Sequence, residues 1–297
     1  MKLCHIATII LVLTVAQAAS APHTPAQQED TPAAFQVERT GSGRPMILIP
    51  GLLSGGDVWD ATVEAFSGEY DMHVLTLAGF AGAPPTGADP FLVTTRDAII
   101  AYIREQQREA PVLVGHSLGA FLSLWIAATA PELVGPVIAV DGVPFLTALG
   151  DTTMTPEQAA PQANGMRAKF AGMSSEALAA QTRMAVTQQA RDTAWHTRAA
   201  QWGAASDPAA AGRAVAEMMT TDIRSDVARI TSPVLLFLAG GALTPQQRDT
   251  MMQRYRSQIA GVRDGHVVAA ENARHFLMLD EPEFFHATMR AFLREGP

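Results

Sequence analysis

Short apolar runs closed by Pro or Gly alternate along the chain with stretches of helical periodicity. Met46-Ile47-Leu48-Ile49 follows Gly43-Arg44-Pro45 and stops at Pro50-Gly51, and His73-Val74-Leu75-Thr76-Leu77 stops at Ala78-Gly79. Val112-Leu113-Val114 stops at Gly115, Val137-Ile138-Ala139-Val140 at Asp141-Gly142, and Val234–Leu238 at Gly240-Gly241; His266–Ala270 completes the set. Continuous runs of this kind predict strands covered on both faces, as in a parallel sheet. Between them, Asp57 can cap a helix whose apolar face carries Trp59, Val63 and Phe66. Thr244-Pro245-Gln246-Gln247 combines an N-cap, a first-turn Pro and a Gln at the third helical position. Asp280-Glu281-Pro282-Glu283 repeats much of that logic before Phe285, Met289, Phe292 and Leu293, spaced as one helix face. Strand and helix alternate, so the expected class is α/β, a mainly parallel central sheet flanked by helices.

One stretch breaks the rhythm. From about 145 to 229 no strand run occurs, and Thr155-Pro156-Glu157-Gln158 is another capping box followed by residues rich in Ala, Gln and Met. This predicts a helical insertion between two strands. Met154, Met166, Met173, Met184, Met218 and Met219, with Trp195 and Trp202, make it apolar and adaptable. They fit either a lid lining an apolar pocket or simple packing of the insertion on the core.

The first residues read differently. Lys2 precedes the apolar run Ile6–Val15, and Ala16-Gln17-Ala18 offers a small-residue cleavage site. Residues 1–18 are therefore expected to be a signal peptide, with export to periplasm or medium after a cut behind Ala18. The run is too short for a lasting membrane anchor. Residues 19–34, rich in Pro, Ala and Gln, read as a flexible leader, leaving 35–297 as one domain. The sole cysteine, Cys4, lies in the signal segment, so the mature chain is expected to carry no disulfide, thiolate metal site or cysteine nucleophile. The formal charge is −8 with no basic run, which argues against a nucleic-acid partner.

The chemistry concentrates at Gly115-His116-Ser117-Leu118-Gly119. A G-x-S-x-G pattern between a strand and the helical run Phe121–Ala127 places a serine on a sharp turn. Glycines on either side let strand and helix approach, and the hydroxyl is presented at the top of the sheet. In this segment and its setting the chain resembles the α/β-hydrolase superfamily, from about Phe35 onward. The resemblance implies the family's fold, a helical lid after the sixth strand and a Ser-acid-His order. It points to the serine esterase and lipase-like branch. Ser rather than Asp at 117 argues against the haloalkane dehalogenase and epoxide hydrolase branches.

Ser117 is then the expected nucleophile. Backbone N–H groups of Leu118 and of Leu52, with Leu53 as the alternative, are the expected oxyanion donors. Relatives usually show His-Gly where this chain has Pro50-Gly51, although a backbone donor does not need that side chain. For the base, His23 lies in the leader, His73 and His266 at strand starts, His196 in the insertion and His286 inside the last helix. His116 adjoins the serine on a turn that should direct it elsewhere. His275 follows the last strand by a short loop, and Ala273-Arg274-His275-Phe276 resembles the family's histidine loop. The acid is least regular. Relatives most often carry it after the strand Val234–Leu238, but Ala239–Pro245 holds no carboxylate. Some relatives carry it one strand earlier, which selects Asp141 over Asp249 and Asp264; Asp141-Gly142 also fits an Asp closing a turn.

The reading is acyl transfer on a small or medium apolar ester, without metal or cofactor, with a small-molecule partner. The same residues could serve an amide, peptide, thioester or lactone, or the fold could be kept by a non-catalytic binding protein.

Overall fold

The computed structural model describes residues 33–106 and 109–294. The expected signal peptide and all but the last two residues of the expected leader, His23 included, lie outside the described residues.

Each apolar run forms a strand. They are β2 (Arg44–Ile49), β3 (Tyr70–Leu77), β4 (Val112–His116), β5 (Val137–Val140), β6 (Val234–Ala239) and β7 (Gly265–Ala270), joined by β1 (Phe35–Gly41). The sheet runs β1-β3-β2-β4-β5-β6-β7, parallel throughout except for β1 against β3. Side chains alternate between two apolar layers. Ile47, Ile49, Leu113, Ala139, Leu236 and Leu238 enter one core. Leu48, Val112, Val114, Val140, Leu235 and Phe237 enter the other. Burial on both faces explains why β2, β4, β5 and β6 read as continuous runs rather than alternating ones. The sequence pattern missed β1 because it is an edge strand exposed from Gln36 onward, with polar residues between its apolar ones.

One layer contains α2 (Phe91–Gln106), α3 (Leu118–Thr129) and α8 (Pro245–Gln258). The opposite layer contains α1 (Asp60–Phe66), the short α9 (Leu277–Asp280) and α10 (Pro282–Arg294). α3 is apolar on nearly every side and almost wholly buried, as a helix between sheet and neighbours must be. The capping box expected at Thr244 is present, with both reciprocal hydrogen bonds made. The one at Thr155 is likewise complete.

Two expected caps have different uses. Asp57 lies in a 3-10 turn, Gly56–Trp59, and no side chain caps α1. Its carboxylate instead accepts from Trp202 Nε1 (2.9 Å) and pairs with the Arg198 guanidinium. Asp280 accepts from the backbone N–H groups of Arg191 and Arg274, both at 2.8 Å. Both carboxylates tie the insertion to the main body, a long-range use that local spacing does not reveal.

The insertion is helical. It carries α4 (Pro156–Ala171), α5 (Ser175–Gln189), α6 (Thr193–Ala204) and α7 (Pro208–Thr220), and it follows the fifth described strand. α4 packs on α7 and α5 on α6. Glu217 of α7 accepts from the first two N–H groups of α2, Phe91 (2.6 Å) and Leu92 (2.7 Å), which have no intrahelical partners.

Candidate active site

β4 ends at His116 and α3 starts at Leu118, leaving Ser117 alone on the turn with φ 54° and ψ −114°. Its N–H donates to Val140 O on β5 (2.8 Å). The hydroxyl does not cap the helix it precedes. The flanking glycines are required by space. A Cβ on Gly115 would stand 2.1 Å from Gly119 O, and one on Gly119 would stand 2.1 Å from Ile49 O. Strand, helix and the loop after β2 are thus pressed together around one serine.

That loop turns through Leu52 and Leu53, closed by Ser54 N–H donating to Gly51 O (3.1 Å). Leu53 has φ 63°. Among the described residues four non-glycine positions have positive φ: Leu53, Ser117, Asp141 and Ala81. Three of them are positions singled out from sequence. Each costs on the order of 1–3 kcal/mol, held only where surroundings over-determine it. Leu118 opens α3, so its N–H has no carbonyl partner within the helix.

His275 lies between β7 and α9 in a loop held at four points. Gly241 N–H donates to Ala273 O (2.7 Å), and Arg274 N–H donates to Asp280. Phe276 N–H donates to Gln189 O of α5 (3.0 Å), and His116 Nε2–H donates to His275 O (3.0 Å). The imidazole is thereby aimed at Asp141, with Nδ1 2.6 Å from Oδ2. A carboxylate only accepts, so the neutral form of the ring carries its proton on Nδ1 and its lone pair on Nε2.

Asp141 leaves β5 with φ 48°. Its Oδ1 accepts from Ala239 N–H and from Tyr255 O–H, both at 2.9 Å. The loop after β6 has no carboxylate, but the last N–H of β6 itself, that of Ala239, holds the carboxylate that follows the neighbouring strand. Asp249 is exposed on α8, and Asp264 pairs with His266 (2.8 Å). Neither is joined to His275. His196 and His286 are also accounted for, by Ala190 O (3.1 Å) and Thr62 Oγ1 (3.2 Å). His73 lies buried between Tyr102 and Asp71.

Sequence reasoning missed two contributors. Tyr255 is 4% exposed. Burial first, then the Asp141 charge, hold its phenol well above its ordinary range, so it stays a neutral donor. A lone aromatic hydroxyl in a helix otherwise made of polar residues, Pro245, Met251 and Met252 was the available signal. His116 was expected to point elsewhere, yet its ring stands 4.6 Å from that of His275. Burial, reinforced by His275, pushes its pKa well below 6.5, so the ring is neutral. With Nε2–H given to the His275 carbonyl, Nδ1 is bare.

Ser117, His116 and His275 line one cavity of about 230 Å³, with Leu52 and Leu53 on its wall. Its outer side is α5, through Gln181, Thr182, Ala185, Val186 and Gln189. Of the methionines and tryptophans expected to line an apolar pocket, Met218 and Trp202 do so. Met184 is 73% exposed, and Met219 is packed in the core. A larger groove of about 680 Å³ shares Trp202 as a wall but contains neither Ser117 nor His275. Among the described residues no cluster of three His, Cys, Asp or Glu could hold a metal ion.

A model described as the alpha/beta hydrolase family matches residues 46–288. A pimeloyl-(acyl-carrier protein) methyl ester esterase of Aliivibrio salmonicida is 32% identical over 36% of this chain. That match spans only 40% of the relative's own length. The esterase of the same name from Nitrosomonas europaea is 23% identical over 75% of this chain and 87% of its own. Among solved structures, the enol-lactonase of Burkholderia xenovorans superposes with a TM-score of 0.70. It is 16% identical over 88% of this chain and 96% of its own.

Proposed function

The chain belongs to the alpha/beta hydrolase family, and from that premise we propose that it is a serine hydrolase of small esters working through an acyl-enzyme. The observation that carries this reading is that His275, paired with Asp141 at 2.6 Å, lines the same cavity as Ser117. His275 Nε2 takes the Ser117 proton as Oγ attacks the ester carbonyl. The N–H groups of Leu118 and Leu52 receive the developing oxyanion. His275 then returns the proton to the leaving alcohol. Water, deprotonated by the same nitrogen, attacks the acyl-enzyme, releases the acid and restores Ser117. Asp141 keeps the imidazole in the required tautomer and offsets its charge when it protonates. The insertion acts as a lid, because α5 closes the cavity over the serine. The relatives named esterases favour the ester over the amide. The N-terminal pattern supports export, and a recovered mature chain starting at Ala19 is its test.

The test of function is hydrolysis of 4-nitrophenyl butyrate beside the matched anilide. The ester should be cleaved, at least about 100-fold faster than the anilide, and Ser117→Ala should abolish cleavage of both. Faster anilide cleavage would make the protein an amidase. Undiminished turnover in Ser117→Ala would sink the proposal.

A further inference from the structure

The cavity over Ser117 has a wall that the activity alone does not explain. Residues 181, 182, 185, 186 and 189 share one face of α5, and that face carries carboxamides at both ends. Gln181 and Gln189 stand about 12 Å apart along the helix axis. Among the described residues neither side chain makes a hydrogen bond, whereas Thr182 Oγ1 already donates to Leu178 O (2.8 Å). Each carboxamide therefore offers a free acceptor and two donors toward a guest. Phe170, Val186, Trp202 and Met218 add apolar surface to the same cavity.

Charge is lacking. No Lys, Arg, Asp or Glu is among the described residues that line this cavity. Burial holds His116 neutral there. Arg274 adjoins His275 in sequence, but its guanidinium donates to the carbonyls of Thr187 (2.9 Å) and Ala190 (3.4 Å) and does not line the cavity. A carboxylate or ammonium entering the site would lose its water without gaining a partner, which is strongly unfavourable. A neutral carbonyl or hydroxyl would find the glutamines. About 230 Å³ also lies below the ~300–1,000 Å³ of ordinary ligand pockets, so the guest is small.

We propose that the substrate is a small uncharged ester whose acyl chain carries a neutral hydrogen-bonding group, read by Gln181 and Gln189. This rests on the serine-hydrolase reading. The test compares kcat/KM for three methyl esters of equal non-hydrogen atom count: methyl 4-oxopentanoate, methyl hexanoate and monomethyl succinate. At pH 7 the last is an anion. The keto ester should exceed the anion by about 100-fold, equivalent to about 2.7 kcal/mol at 1.36 kcal/mol per tenfold. It should exceed methyl hexanoate by about fivefold, the effect of one neutral hydrogen bond. In at least one of Gln181→Leu and Gln189→Leu, the one that removes the partner of the ketone, that keto-to-alkyl preference should vanish. The ratio is read within one preparation, so a partly folded variant does not distort it.

An anion cleaved within tenfold of the keto ester overturns the proposal. So does a keto-to-alkyl ratio of one in the unaltered protein, or a ratio unmoved in both variants. If no ester is cleaved and a fluorophosphonate fails to react with Ser117, the serine-hydrolase reading itself has failed. If Ser117 reacts and esters turn over in another order, only the substrate assignment falls.

Discussion

Replacing Asp141 by Asn should silence the site while leaving its shape intact, and the hydrogen bonds around the carboxylate say why. Ala239 N–H and Tyr255 O–H both point at Oδ1. A backbone N–H has no lone pair, so the Asn amide must place its oxygen there. Its NH2 then occupies the Oδ2 position, 2.6 Å from His275 Nδ1 in the unaltered protein. An NH2 donates, so Nδ1 must accept, and the ring proton moves to Nε2. That is the nitrogen required to take the Ser117 proton. The equivalent tautomer reversal in a serine protease lowers kcat by about 10⁴, or about 5 kcal/mol at 1.36 kcal/mol per tenfold. KM should change little, because Asp141 does not line the cavity. The assay is steady-state hydrolysis of 4-nitrophenyl acetate, with Asp249→Asn as control. Asp249 is exposed on α8, and its variant should stay within about twofold. Retention of more than about a tenth of kcat by Asp141→Asn would refute the reasoning, as would a larger loss in the control.

Tyr255→Phe removes one of two donors from Asp141 Oδ1; a hydrogen bond to a charged group contributes about 1.5–3 kcal/mol. Thermal denaturation should fall by about 3–12 °C at ~2–4 °C per kcal/mol, and kcat by about tenfold with KM unchanged; an unshifted melting curve contradicts this. His116 stays neutral in the fold, with its pKa well below 6.5, while the unfolded chain binds a proton there. Its contribution is therefore fully present above about pH 6.5 and is lost as pH falls toward the folded pKa, by up to about 1.36 kcal/mol per pH unit. Urea unfolding from pH 7 to 5 should show a shallower loss in His116→Asn than in the unaltered protein, and parallel curves would count against it. Gly119→Ala forces a Cβ to within 2.1 Å of Ile49 O, so melting should drop by at least about 5 °C, and an unchanged melting temperature would contradict the packing described.

How much of this was legible in the sequence depended on whether the cause was local. β2 to β6 were readable because burial on both faces leaves mainly apolar runs, and β7, a half-buried edge strand, because Val267–Ala270 stays apolar all the same. The capping boxes at Thr155 and Thr244 were readable because both partners lie within four residues. Ser117 was readable because its strained turn requires glycines at fixed positions. β1 was not, since one-sided pairing at an exposed edge imposes no such run. Asp57 and Asp280 were misjudged because a capping carboxylate and one tying down an insertion look alike locally. Asp141 was selected over its rivals, but its support from Ala239 and Tyr255 comes from elements 98 and 114 residues away. The cavity-lining face of α5 was not legible, because glutamines that line a cavity and glutamines that face solvent look alike in a local pattern.

The central claim is that Ser117 is an activated nucleophile. The purified protein should be treated with a fluorophosphonate probe, digested and mapped by mass spectrometry, beside Ser117→Ala. The expected result is a phosphonylated peptide containing Ser117, lost in Ser117→Ala and formed at least about 100-fold more slowly in Asp141→Asn. Folded protein that stays unlabelled, or a label carried on another residue, would contradict the claim.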